Sequence, residues 1–288
     1  MSAIRTYPAP DLLLRQRLVI GEGPFIDPRD GVLHWVDLQS GELYRRRDGG
    51  GERLAKLDCV LGAAVPRQSA PGYAAAISDG FGLIEGGALR LVDPVLHEPY
   101  RRMNDGKCDA RGRFWAGSTH TGYHPNVGAL HCWDPAAGAR SLYICGGLTL
   151  PNGLGWDAEN RWMVLADSFG RVLLRAEFDI DTGHVGLFAP IHHFASGLPD
   201  GLAVDVEGCT WVAVWDGAEV LRIAPDGRCV GRIPMPVAKP SSCAFGPDGV
   251  LYITSASIDE AEDPDSLAGS LFVLDVGVEG VPVAGFSG

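Results

Sequence analysis

A unit of roughly 40 to 48 residues recurs along this chain, and no other feature restricts its fold as strongly. The clearest copy, Arg101 to Gly117, reads RRMNDGKCDARGRFWAG. With Asn104 as anchor, Asp109 follows at five residues, Gly112 at eight and Trp115 at eleven, inside an alternating run that ends in Gly117. The same ruler laid from Asp200 meets Asp205, Gly208 and Trp211, and from Ser241 it meets Gly246, Gly249 and Tyr252. From Asn152 it meets Asp157, Asn160 and Trp162, and from Glu22 it meets Asp27, Gly31 and Trp35. A degraded copy is anchored on Leu61, with Pro66 and Gly72 in the turn and Tyr73 opening the next strand. Six copies of a strand-rich unit with no helical pattern predict an all-β, six-bladed β-propeller occupying residues 1–288 as one domain.

Composition agrees where it bears on that expectation. The 39 Gly and 20 Pro suit many short strands joined by tight turns, and 46% hydrophobic residues suffice for packing between blades. A net charge of −12 argues against a nucleic-acid partner, which requires clustered Lys and Arg. The seven cysteines, Cys59, Cys108, Cys132, Cys145, Cys209, Cys229 and Cys243, are odd in number and lack paired short spacings. They read as reduced thiols of a cytoplasmic protein. The N-terminal segment shows no signal-peptide pattern, and no apolar run is long enough to span a membrane.

Taken in order, the apolar pieces Leu12 to Leu14 and Leu18 to Ile20 precede the first repeat and are expected to complete the last blade, closing the ring. Blade two is dominated by small residues, Gly62-Ala63-Ala64-Val65. Blade three carries a longer excursion over residues 118–126, with His120, Tyr123 and His124, which is a candidate lid or rim loop. Residues 258–267 are acidic and turn-rich and read as a solvated loop, since they lack the spacing of an EF-hand.

The anchors carry the chemistry. Glu22, Leu61, Asn104, Asn152, Asp200 and Ser241 share one phase of the repeat, so a radial fold should aim them at one end of the central channel. Two carboxylates and two carboxamides brought together there need a partner, and a divalent cation is the simplest one. An all-oxygen set favours calcium; magnesium, manganese and zinc would also be accepted. Asn-Gly and Asp-Gly pairs are also common turn formers. Pro247-Asp248-Gly249, which has the letters of Pro199-Asp200-Gly201, falls at turn phase and reads as a turn; Asp200 shares anchor phase with Glu22, Asn104 and Asn152 instead.

At these motifs the chain resembles the gluconolactonase and regucalcin (senescence marker protein) family of sugar lactonases. The likeness runs through GEGP at 21–24, RxNDGKxDxxGRFWAG at 102–117, LPNGLGWD at 150–157 and LPDGLAVDxxGxxWVA at 198–213. It implies a six-bladed propeller with one divalent metal held by Glu22, Asn152 and Asp200. It also implies that Arg102, Asn104 and Asp105 touch the sugar or complete the metal shell, and that Asp200 doubles as the catalytic carboxylate in opening a lactone to the free acid. Some relatives place an acidic, substrate-contacting residue where this chain has Ser118-Thr119-His120, which leaves the sugar open and makes His120 a candidate contact. His192 and His193 lack metal-ligand spacing, Trp215 reads as packing, and Lys107, three past its anchor, should point away from the channel by simple alternation. Competing readings are an esterase or organophosphate hydrolase with a similar cage, and a non-catalytic calcium- or ligand-binding propeller.

Overall fold

The computed structural model describes residues 4–138 and 140–288. Six antiparallel sheets follow one another along the chain in a six-bladed β-propeller. Their innermost strands are Gly21–Ile26, Leu61–Pro66, Arg101–Cys108, Pro151–Trp156, Leu198–Val204 and Pro240–Phe245. In blade four two outer segments, His184–Val185 and Ala189–His193, pair with the same third strand, Val172–Asp179.

The ring closes as expected. Asp11–Leu14 supplies the fourth strand of blade six, pairing antiparallel with Leu271–Asp275 in the register Leu12↔Phe272. A second closure was not legible in the sequence: Arg5–Thr6 adds to blade five in parallel, beside Gly231 and Arg232. The far end of the chain returns as well, with Phe286 buried against Trp133, ring centroids 4.4 Å apart. The acidic segment at 258–267 is largely exposed, and Arg15 and Arg17 bond its backbone carbonyls. None of the seven cysteines is bridged. No helix among the described residues is long and apolar enough to cross a membrane.

The repeat has a physical cause. In blades one, three, four and five an Asp five residues after the anchor caps the turn between the first and second strands, and in blades three and five the indole of the following Trp reaches back to it. Asp109 accepts from the backbone N–H groups of Arg111 and Arg113 and from Trp115 Nε1 at 2.9 Å. Asp205 accepts from Glu207 N, Cys209 N and Trp211 Nε1 at 2.8 Å. Trp115 and Trp211 are wholly buried between blades, so in blades three and five one carboxylate closes a hairpin and fixes a large core side chain together; Trp35 is as deeply buried, but its Nε1 has no partner and Asp27 pairs with Arg29 instead.

His131, on the third strand of blade three, is buried, with Nε2 and Ser118 Oγ 2.9 Å apart. Burial, and then the nearby Arg101 charge, push its pKa down to about 4. The unfolded chain protonates this residue near pH 6.5, whereas the native fold resists until about pH 4. The stability that follows from neutral His131 is therefore complete above about pH 6.5 and is lost as pH falls toward 4. Urea unfolding of wild type and His131→Gln at pH 7 and pH 4.5 should show wild type losing about 2 kcal/mol more than the variant. Equal losses would rule the assignment out.

Candidate metal and catalytic site

Each inner strand slips register at its anchor. The slips fall between Glu22 and Phe25, Leu61 and Ala63, Met103 and Gly106, Pro151 and Leu154, Pro199 and Leu202, and Pro240 and Ser242. A bulge inserts an unpaired residue and re-aims the side chain it carries, so the strands keep their ladders while the anchors turn to the axis. Glycine lets adjacent inner strands meet there. A Cβ on Gly153 would stand 2.6 Å from Asp200 O, and one on Gly201 would stand 2.7 Å from Ser242 Cα.

The slips bring Glu22, Asn104, Asp105, Asn152 and Asp200 together, and all five are buried. Asn152 Nδ2 donates to Asp200 Oδ1 and to Ser168 Oγ, the latter at 3.1 Å. Arg102 Nη1 donates to Asn104 Oδ1 at 2.6 Å, and Asn104 Nδ2 donates to Pro151 O at 3.1 Å. Gly23 N donates to Glu22 Oε2 at 2.9 Å, and Gly106 N to Asp105 Oδ1 at 2.7 Å.

The electrostatics are those of a cluster short of positive charge. Burial, and then the Asp200 and Asp105 charges, hold the Glu22 carboxyl well above its ordinary range. Asp200 is raised in the same way by burial and by Asp105, against the Asn152 hydrogen bond and Arg102. Asp105 is raised by burial, with Lys107 and the Gly106 N–H opposing it. Asn152 Oδ1 is buried with no hydrogen-bond partner. No three His, Cys, Asp or Glu side chains among the described residues form a ready metal-ligand group. The set around Asn152 is different, with two carboxylates beside an orphaned carboxamide oxygen, and that donor chemistry fits a hard divalent cation.

Three expectations need correction. Leu61 packs with Val36, Leu43 and Ile77 in the apolar layer between blades one and two, where its side chain has no polar task. Ser241 Oγ donates to Gly21 O and bonds Thr254 Oγ1 at 3.0 Å, so its hydroxyl braces blade six against blade one. Lys107 does not point away: Lys107 Nζ donates to Leu202 O of blade five at 2.7 Å. Simple alternation fails because the slip between Met103 and Gly106 shifts the phase by one residue, and Gly106 in that slip was the available signal.

The remaining candidates lie at the rim. His120 Nδ1 accepts from Gly122 N at 2.9 Å, and its ring stacks on His124 with centroids 4.1 Å apart, so the ring is engaged within its own loop. That loop leans on blade four through Tyr123 and Phe169, centroids 4.7 Å apart. His192 bonds Gly227 O from an outer strand, away from the channel. Past the anchors the channel widens into a chamber of about 410 Å³, lined by the later residues of the inner strands, including Phe25, Val65, Trp156 and Phe245, with Asp105 and Lys107 at its inner end.

Over residues 20–257 the chain matches the family described as the SMP-30/Gluconolactonase/LRE-like region. It is 35% identical to 6-deoxy-6-sulfogluconolactonase of Pseudomonas putida, over 96% of this chain and 98% of that protein. It is 32% identical to L-arabinolactonase of Azospirillum brasilense, over 96% of this chain and 95% of that one. The crystal structure of a calcium-binding protein, regucalcin, from Agrobacterium tumefaciens str. C58 matches with a TM-score of 0.88 at 24% identity, covering 99% of each chain, a likeness that bears on the fold.

Proposed function

Because the chain belongs to the SMP-30/gluconolactonase/LRE-like family, we propose that it hydrolyses a sugar lactone to the open acid with the help of one divalent cation. The observation that carries the metal reading is the orphaned Asn152 Oδ1 beside the buried Asp200 and Glu22 carboxylates. Relatives named for lactones of a sulfogluconic acid and of arabinose support the reaction class.

In this reading Glu22, Asn152 and Asp200 hold the ion, with calcium the first choice and zinc, manganese or magnesium accepted. When bound, such an ion polarises the lactone carbonyl and offsets negative charge on its oxygen. Asp200 acts as general base, taking a proton from a water that attacks the carbonyl carbon. The bond between that carbon and the ring oxygen then breaks, and Asp200 returns the proton to the ring oxygen, so that the product is a hydroxy acid. Arg102, half-buried and already oriented by Asn104 Oδ1, presents its guanidinium to ring hydroxyls or to a carboxylate of the substrate. Asn104 and Asp105 complete the polar wall, and His120 on the rim loop would meet the distal part of the sugar. The unbridged thiols fit a cytoplasmic setting.

The test is initial-rate hydrolysis, followed by proton release in weak buffer, on glucono-, galactono-, xylono-, arabino- and hexaro-lactones with metal-stripped protein and each ion restored. Turnover is expected on at least one lactone, lost on stripping and restored by one of the four ions. No turnover on any lactone, with metal still raising the melting temperature, would assign the fold to ligand binding instead.

A further inference from the structure

Lys107 is the charged group of the channel that this mechanism does not use, and its surroundings define its position. Its ammonium bonds the Leu202 carbonyl of blade five. The acidic groups near enough to act on it are Asp105 of blade three, Cys243 of blade six and Glu22 of blade one. One ammonium reaches groups from four different blades only by standing at the propeller axis, between the carboxylate cluster and the chamber it lines.

We propose that Lys107 is a built-in cation at that axis, a positioning residue whose charge limits the channel to one divalent ion and tunes how tightly that ion is held. The argument is charge balance in a buried space. Glu22, Asp105 and Asp200 together carry three negative charges when ionised, and Lys107 carries one positive charge. A single divalent ion then brings the buried set to neutrality, which is the arrangement that least offends a low-dielectric interior. Arg102 also acts on Glu22 and Asp200, but its guanidinium is the group that receives the substrate's oxygens, so its charge is counted with the substrate rather than with the resting cluster. Lys107 and Asp105 both line the inner end of the chamber, so the ammonium stands where the carboxylate cluster meets that space.

The inference rests on the metal reading, and calorimetric titration of stripped, full-length protein separates the two. Whichever of calcium, zinc, manganese or magnesium binds the wild type is the probe. Lys107→Met, which keeps the stem, and Lys107→Gln, which keeps a donor for Leu202 O, are each expected to bind that ion about tenfold or more tightly, because a fixed like charge is gone. Asp105→Asn is expected to weaken it by about tenfold, and the double variant Lys107→Gln with Asp105→Asn should return to within about threefold of wild type. A side chain that merely packs would change the melting temperature without producing this order of affinities. Neutral variants that fold yet bind the ion unchanged or more weakly would overturn the proposal, as would failure of both to fold even with the ion in excess. If no ion binds the wild type, it is the metal reading itself that falls.

Discussion

Asp200→Asn is expected to lower lactone turnover by roughly a thousandfold or more, because it removes a general base and one of two charged ligands in one step. The substitution is close to isosteric, and the new carboxamide oxygen still accepts from Asn152 Nδ2, so the inner strands need not move. What changes is charge and basicity. Burial and the Asp105 charge raise the Asp200 carboxyl well above its ordinary range in the metal-free protein. A carboxyl whose folded pKa is raised contributes stability that is present at low pH and is lost as pH rises through the folded value. At neutral pH the metal-free variant should therefore melt at a higher temperature than metal-free wild type, while the increment brought by added metal shrinks. Loss of turnover together with a higher metal-free melting temperature separates a functional carboxylate from a structural one. Turnover retained within tenfold would refute the assignment of Asp200 as base.

Asp109→Ala is the substitution expected to cost most stability, on the order of 3 to 5 kcal/mol. Asp109 is wholly buried, its partner Arg113 nearly so, and Arg113 Nε donates to Asp109 Oδ2 at 2.6 Å. Removing the carboxylate strands a guanidinium whose other hydrogen bond goes to the carbonyl of Ile180, at 2.7 Å, and strands the Trp115 indole N–H. Two backbone N–H groups of the turn lose their acceptor as well. For a chain of this size the melting temperature should fall by roughly 6 to 15 °C. The blade-five twin provides the control, since Arg222 keeps a second carboxylate, Glu207, at 2.6 Å when Asp205 is removed. Asp205→Ala should therefore cost less than Asp109→Ala, and the reverse order would mean that the buried ion pair is not the source of the effect.

That Asp and Trp are also why so much of the fold was legible. A turn closed by Asp five residues after the anchor, with a strand alternating behind it, is local chemistry, and local chemistry repeats in the sequence wherever it repeats in space. The blade count, the strand that completes blade six and the set Glu22, Asn104, Asn152 and Asp200 all follow from that repeat. The sequence by itself also placed Asp248 at turn phase, and the structure has it in a turn with φ of 57°.

The tertiary structure decided which residues of equal phase share the axis. Leu61 and Ser241 keep the anchor's place in the repeat, yet one joins an apolar layer and the other braces a neighbouring strand, because packing against adjacent blades is not written in any one repeat. Arg5–Thr6 pairs with a strand more than two hundred residues away, and no local pattern marks that partner. Lys107 turned inward for a related reason. Alternation has a period of two, and one extra unpaired residue in the strand reverses every side chain beyond it, so a bulge visible only once the strands are paired put an ammonium where the sequence expected none.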